Sequence, residues 1–219
     1  MYCHHRFLNF HQNSNGRELF PDWKVKYLFI GTFNPSWNNP NGNNACYFYE
    51  RSRYFWRVLP RFFNSSSLEN TLITEKISFC KRHGIGFTDL IKGVNNVDFF
   101  NEHHQELIVN FRDEALLEFA EDLDFNTGNI IQYILNSQSI SRIYFTLLAN
   151  NPNLINAAIN EIEIEFQNNP QINTHRIHTP TGMGLGNGKP KENNLLNRWF
   201  GQGLNHISPN LNLEIYPFY

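Results

Sequence analysis

The sequence predicts an α/β fold of three layers, α/β/α, with helices covering both faces of a short, mainly parallel central sheet. Three observations carry that expectation. Segments with strand and helix patterning alternate along the chain. The apolar run Leu28-Phe29-Ile30 breaks off in Gly31-Thr32-Phe33-Asn34-Pro35-Ser36, the pattern of a buried strand delivering a tight loop to its carboxyl edge. A second loop of that kind, Ile177-His178-Thr179-Pro180-Thr181-Gly182-Met183-Gly184, follows another apolar segment far along the chain. Ligands of open α/β sheets bind at the carboxyl edge, so two such loops gathered by parallel strands would make one pocket.

Taken in order, residues 1–23 form a polar, His-containing arm closing on Pro21, and Val25–Thr32 reads as the first central strand. Ser36–Ala45 is a Gly/Asn/Pro-rich loop whose length points to function rather than simple connection. Tyr49–Phe63 carries Phe55, Trp56, Leu59 and Phe63 at helical spacing, with Pro60 ending or kinking the helix. Leu72–Arg82 is amphipathic and stops at His83-Gly84, and Ile85–Leu90 is short and extended. Helices are expected over Glu102–Leu123, Asn129–Ser137, Asn153–Phe166 and Asn193–Gly201. Ser141–Leu148 is a buried strand, His175–His178 leads into the second loop, and Leu211–Tyr216 is a final strand. No repeat or linker divides the chain, so 1–219 is expected to be one domain with 1–23 as its N-terminal arm.

The hydrophobic fraction of 41% suffices for a core, and twenty Phe, nine Tyr and four Trp make the chain strongly aromatic. Asn is so common, 33 of 219 residues, that an Asn beside a motif means little alone. The net charge of −2 argues against a basic coat, but the charge is unevenly spread. Asp98–Asp124 holds nine acids and one Arg, whereas Glu50–Arg61 and Arg176–Arg198 each carry a net +3. A polyanion could therefore be held at one face only. Cys3, Cys46 and Cys80 are few and unclustered, which suggests a reducing compartment and excludes a four-Cys iron–sulfur site. No apolar run is long enough to span a membrane and no secretory core opens the chain. The expectation is a cytoplasmic monomer.

The two loops and the segments between them resemble motifs of the uracil-DNA glycosylase superfamily. Gly31-Thr32-Phe33-Asn34-Pro35 is similar to the water-activating Gly-x-Asn-Pro of its mismatch-specific branch, with one extra residue, and Gly31-Thr32-Phe33 also resembles the Gly-Ser-Phe-Pro-like loops of other branches. Thr179-Pro180-Thr181-Gly182-Met183-Gly184 resembles the second motif, Asn-Pro-Ser-Gly-Leu-Ser or His-Pro-Ser-Pro-Leu-Ser. Tyr47-Phe48-Tyr49 with Tyr54-Phe55-Trp56-Arg57-Val58-Leu59 resembles the aromatic segment and the Phe-Trp helix. His83-Gly84-Ile85-Gly86-Phe87-Thr88-Asp89-Leu90-Ile91 resembles Gly-[ILV]-Gly-[LF]-Thr-[ND]-[LV]. Each match is weak alone; their collinear order, over residues 25–200, gives them specificity. The chain looks like a divergent member close to the mismatch-specific and hypoxanthine-type branches.

The resemblance implies a monofunctional DNA glycosylase of base excision repair, which flips a uracil or another deaminated or mismatched base out of DNA and hydrolyses its N-glycosidic bond. Asn34 would position the water. Thr32, Phe33, Phe48, His178 and Thr179 would surround the base, with Phe48 stacking on it. Met183 matches the apolar wedge that fills the hole left by an extruded nucleotide. Ser36, Thr181, Gly182, Lys189, Lys191 and Arg198 would meet the strand, hydroxyls and amides positioning it and cations supplying salt-dependent affinity. His178 either touches the base or caps its loop. Phe55 and Trp56 are expected in the core, and Asp89 as the cap of a following helix, with a lesser share in holding the pocket. No cofactor is implied. Adjacent histidines (His4-His5, His103-His104) on a helix diverge by about 100° and chelate poorly. A non-catalytic nucleic-acid or nucleotide-binding module and a nucleoside hydrolase are the competing readings.

Overall fold

The computed structural model of the chain describes residues 1–8, 19–36, 45–52, 54–110, 113–147, 153–181, 185 and 190–211. Strand β1 (Cys3–His4) lies in the N-terminal arm, and β2 (Tyr27–Gly31) is the first central strand. Helix α1 (Phe55–Val58) runs into a 3₁₀ turn, Leu59–Phe63, opened by Pro60. Helix α2 (Ile73–His83) ends at Gly84, whose φ of +65° is the left-handed cap that favours glycine. Strands β3 (Ile85–Asp89) and β4 (Ile91–Val94) follow directly. Helices α3 (Glu102–Asn110) and α4 (Asp113–Leu116) precede β5 (Leu123–Phe125) and α5 (Thr127–Asn136). The chain then alternates through β6 (Arg142–Phe145), α6 (Asn153–Phe166), β7 (Asn173–Arg176) and α7 (Lys191–Gly201).

The main sheet is four-stranded in the order β3-β2-β6-β7, with every pairing parallel. Alternation of side chains splits the core in two. Leu28, Ile30, Ile143 and Phe145 join Ile130, Ile134, Ile155, Ile159 and Ile162 from α5 and α6 on one face. Phe29, Phe87 and Tyr144 join Phe55, Trp56, Leu195 and Trp199 from α1 and α7 on the other. Central strands covered on both faces have no polar side to show, which is why they read as unbroken apolar runs. The three-layer α/β arrangement expected from the sequence is what forms.

Three expectations need correction. Tyr49 has φ +59° and α1 starts only at Phe55, so the predicted helix loses its first turn to a bend. Of the helix predicted over Glu102–Leu123, the described residues Glu102–Asn110 and Asp113–Leu116 are helical, but Leu117–Asp122 is a 3₁₀ stretch in which Phe119 leaves helical geometry. A second sheet, antiparallel and ordered β1-β4-β5, was not foreseen. The proposed strand Leu211–Tyr216 falls outside the described residues except for Leu211, which is in no strand.

Candidate functional site

Parallel pairing places the ends of β2, β3, β6 and β7 on one edge, and residues at the ends of β2, β3 and β6 contribute to a polar cluster there. The β2 register sets Gly31 opposite Asp89, the last residue of β3. An ideal Cβ at Gly31 would lie 2.4 Å from Asp89 Oδ1 and 3.2 Å from the Tyr49 hydroxyl. Glycine is therefore the residue that lets the carboxylate sit against the strand. Asp89 does not cap a helix, since β4 follows it; its side chain, 1% exposed, turns into the site. Its Oδ2 accepts from Asn34 Nδ2 at 2.6 Å and pairs with His5 Nε2 at 2.7 Å.

The N-terminal arm holds this arrangement in place. His5 and Pro35 form an antiparallel bridge, Arg6 N–H donates to Asn34 O at 2.6 Å, and Ser36 N–H donates to His4 O at 2.9 Å. His5, only 2% exposed, is ringed by Phe7, Phe33 and Phe48 with centroids 5.6, 5.8 and 6.0 Å away. Tyr49 shares a hydrogen bond with Thr146 Oγ1 at 3.2 Å, just past β6. Burial, then the Asp89 charge, pushes its phenol well above the usual range, so it remains a neutral hydroxyl.

Phe33, Asn34 and Phe48 thus meet around His5 and Asp89. Thr32 and Ser36 are half-buried in the same loop, where Thr32 O accepts from Ile91 N–H. The Phe48 ring, 1% exposed, packs on Phe7 at 4.6 Å and near Tyr47 and Phe87. Phe55 and Trp56 lie in the core as expected, 0% and 3% exposed.

The second loop leaves the same edge from β7, with β6 between it and the first. Two strand spacings make that separation roughly 10 Å. His178 is buried: its N–H donates to Gln202 Oε1 at 2.8 Å, and its carbonyl accepts from Trp199 Nε1 at 2.7 Å. Its ring nitrogen Nδ1 lies 3.2 Å from Arg198 Nη1. Thr179 Oγ1 is 3.4 Å from Thr181 Oγ1, with Thr179 half-buried and Thr181 exposed. Lys191 opens α7 and Arg198 lies in its last turn. Gly182, Met183 and Lys189 lie outside the described residues.

Sequence reasoning missed His5, Tyr49 and Thr146 as members of the site and undervalued Asp89. His5 and Asp89 are 84 positions apart, and no local spacing signals their meeting. Among the described residues no group of three or more His, Cys, Asp or Glu side chains is placed to hold a metal, and no helix is long and apolar enough to cross a membrane. Cys3 and Cys80 are buried, and Cys46 is exposed.

No family model matches the chain, and no curated protein does. A solved structure with a related arrangement is the solution NMR structure of a "putative Uracil DNA glycosylase" from Methanosarcina acetivorans. It aligns with a TM-score of 0.49 and 12% identity over 85% of this chain and 92% of that one.

Proposed function

We propose that this chain is a monofunctional DNA glycosylase that hydrolyses the N-glycosidic bond of uracil or another deaminated or mismatched base. One observation carries the reading: Asn34, the residue whose motif resembles a water-activating loop, stands at the carboxyl edge of the parallel sheet with its amide tied to buried Asp89. Breaking the bond builds positive charge on the sugar and negative charge on the departing base. An enzyme must take the base from the stack into a pocket, and preorganised N–H donors can then stabilise the base anion. The Asn34 carboxamide oxygen would orient water toward the sugar cation. An amide has no useful proton affinity, so the enzyme is expected to be slow and to favour weakly paired bases.

The remaining roles follow the loops. Thr32, Phe33, Phe48, His178 and Thr179 would line the base slot, and Met183 would wedge the duplex. Ser36, Thr181, Gly182, Lys189, Lys191 and Arg198 would meet the strand. DNA is the partner, with no cofactor required by this scheme, and the working form is a cytoplasmic monomer. One observation favours a non-catalytic module instead: Phe7 covers Phe48 at 4.6 Å, and both rings are at most 2% exposed.

The deciding experiment incubates the protein with single- and double-stranded oligonucleotides containing uracil or hypoxanthine, followed by alkaline cleavage. Abasic product that disappears in Asn34→Ala supports the glycosylase. Salt-sensitive DNA binding with no product on any substrate favours the module, and cleavage of free deoxyuridine without DNA affinity favours a nucleoside hydrolase.

A further inference from the structure

We infer that His5 and Asp89 are positioning residues that set the orientation of the Asn34 amide, a role that rests on the glycosylase reading above. The hydrogen bonds around His5 fix its tautomer. Phe7 N–H donates to His5 Nδ1 at 3.1 Å, so Nδ1 accepts and the ring proton sits on Nε2. That Nε2–H points at Asp89 Oδ2, 2.7 Å away. Asn34 Nδ2 donates to the same oxygen at 2.6 Å. Two N–H donors thus converge on one acceptor, and a carboxylate oxygen cannot accept from an amide oxygen. The Asn34 carboxamide is consequently held with its nitrogen turned in and its oxygen on the opposite branch.

Orientation is not the only effect. An amide whose N–H donates to a carboxylate is polarised toward its own oxygen, and hydrogen bonds in series strengthen one another in a low-dielectric site. The Asn34 oxygen becomes a better acceptor for water than an isolated amide. The arm is what makes this possible: β1 and its pairing with β4 deliver His5, while backbone bonds from His4 and Arg6 tie the same segment to the Asn34 loop. Loop and arm are bonded to each other, and Asp89 contacts both.

Steady-state base release on a uracil-containing oligonucleotide, with kcat and KM separated, tests the pair. Asp89→Asn and His5→Phe are each expected to lower kcat by about 10- to 100-fold with KM nearly unchanged, the usual reach of groups acting through a neighbour. His5→Gln, which restores an N–H donor, is expected to recover most of the loss. Asn34→Asp alone sets two carboxylates 2.6 Å apart, so it is expected to be slow and shifted toward acidic pH. The double variant Asn34→Asp/Asp89→Asn exchanges donor and acceptor and is expected to regain at least the wild-type kcat. Nitrogen shifts of the His5 ring give a readout apart from activity, with protonated Nε2 expected. An active wild type with no recovery in a folded double variant, or a His5 proton on Nδ1, overturns the inference alone. A wild type that releases no base from any substrate overturns both it and the glycosylase reading.

Discussion

Replacing Gly31 by Ala probes the cluster with a single methyl group. The new Cβ would stand 2.4 Å from Asp89 Oδ1 and 3.2 Å from the Tyr49 hydroxyl, against an ordinary carbon contact of about 3.5 Å. Roughly 1 Å of movement is required. Asp89 has a short side chain whose other oxygen is held by His5 and Asn34, so it cannot swing aside without loosening both bonds. Overpacking of this kind costs about 1–3 kcal/mol, and weakening hydrogen bonds to a charged group adds about 1–2 kcal/mol. Removing a glycine from a strand returns about 0.5–1 kcal/mol. The net expectation is about 1–4.5 kcal/mol, a fall of roughly 2–18 °C in Tm for a chain of this size. Thermal unfolding followed by circular dichroism measures it, and base release by the folded variant should fall in parallel. A Gly31→Ala protein with wild-type Tm and wild-type rate would show that Asp89 is not wedged against β2, and the account of the site would fail.

Three further outcomes can be checked with similar means. Trp199→Phe removes the indole N–H that donates to His178 O and leaves a partial cavity in a fully buried position. Urea unfolding should register a loss of about 2–4 kcal/mol; a change under 0.5 kcal/mol would remove α7 as the anchor of the second loop. Arg198→Ala, which deletes the cation beside His178, should weaken DNA binding and lower the salt slope by about one unit. An unchanged slope places Arg198 away from the strand. His206 stacks on Tyr144 and shares a hydrogen bond with its hydroxyl at 2.9 Å, and burial, then Arg142, pushes its pKa from 6.5 to about 4. The unfolded chain therefore takes up a proton that the folded one refuses. Stability should be untouched above pH 6.5 and decline as pH falls toward 4. His206→Gln should flatten that decline, and an unaltered pH profile of Tm would contradict it.

The legible parts of this chain were those whose signal is local. Leu28-Phe29-Ile30 and Ile143-Tyr144-Phe145 read as buried strands because both faces of a parallel sheet demand apolar side chains, and the break at Gly31 marked the carboxyl edge. β1, β4 and β5 escaped notice because they are two to four residues long and are defined by partners far away in sequence. Ile91-Lys92-Gly93-Val94 has no alternation to betray a strand. Glu102–Leu123 misled for the opposite reason: its apolar spacing persists through Phe119, where φ −103° and ψ 24° leave the helix. Periodicity reports which face is apolar, not whether the backbone turns beneath it.

Asp89 poses the deeper question of why a carboxylate is buried under a sheet edge at all. Burying a hydrogen-bonded carboxylate often contributes no more than packed apolar side chains of similar volume, and removing its partner is costly because it strands the charge. Stability alone therefore gives little reason to keep Asp89 and His5 where the surrounding wall is Phe7, Phe33 and Phe48. What the pair supplies is direction, since an oxygen with two N–H donors on it dictates how an adjacent amide must face. That requirement links three segments that share no sequence signal: an arm strand, a loop after β2 and the last residue of β3. It also explains the glycine, because only a residue without Cβ lets the carboxylate come close enough to reach Asn34 and His5 together.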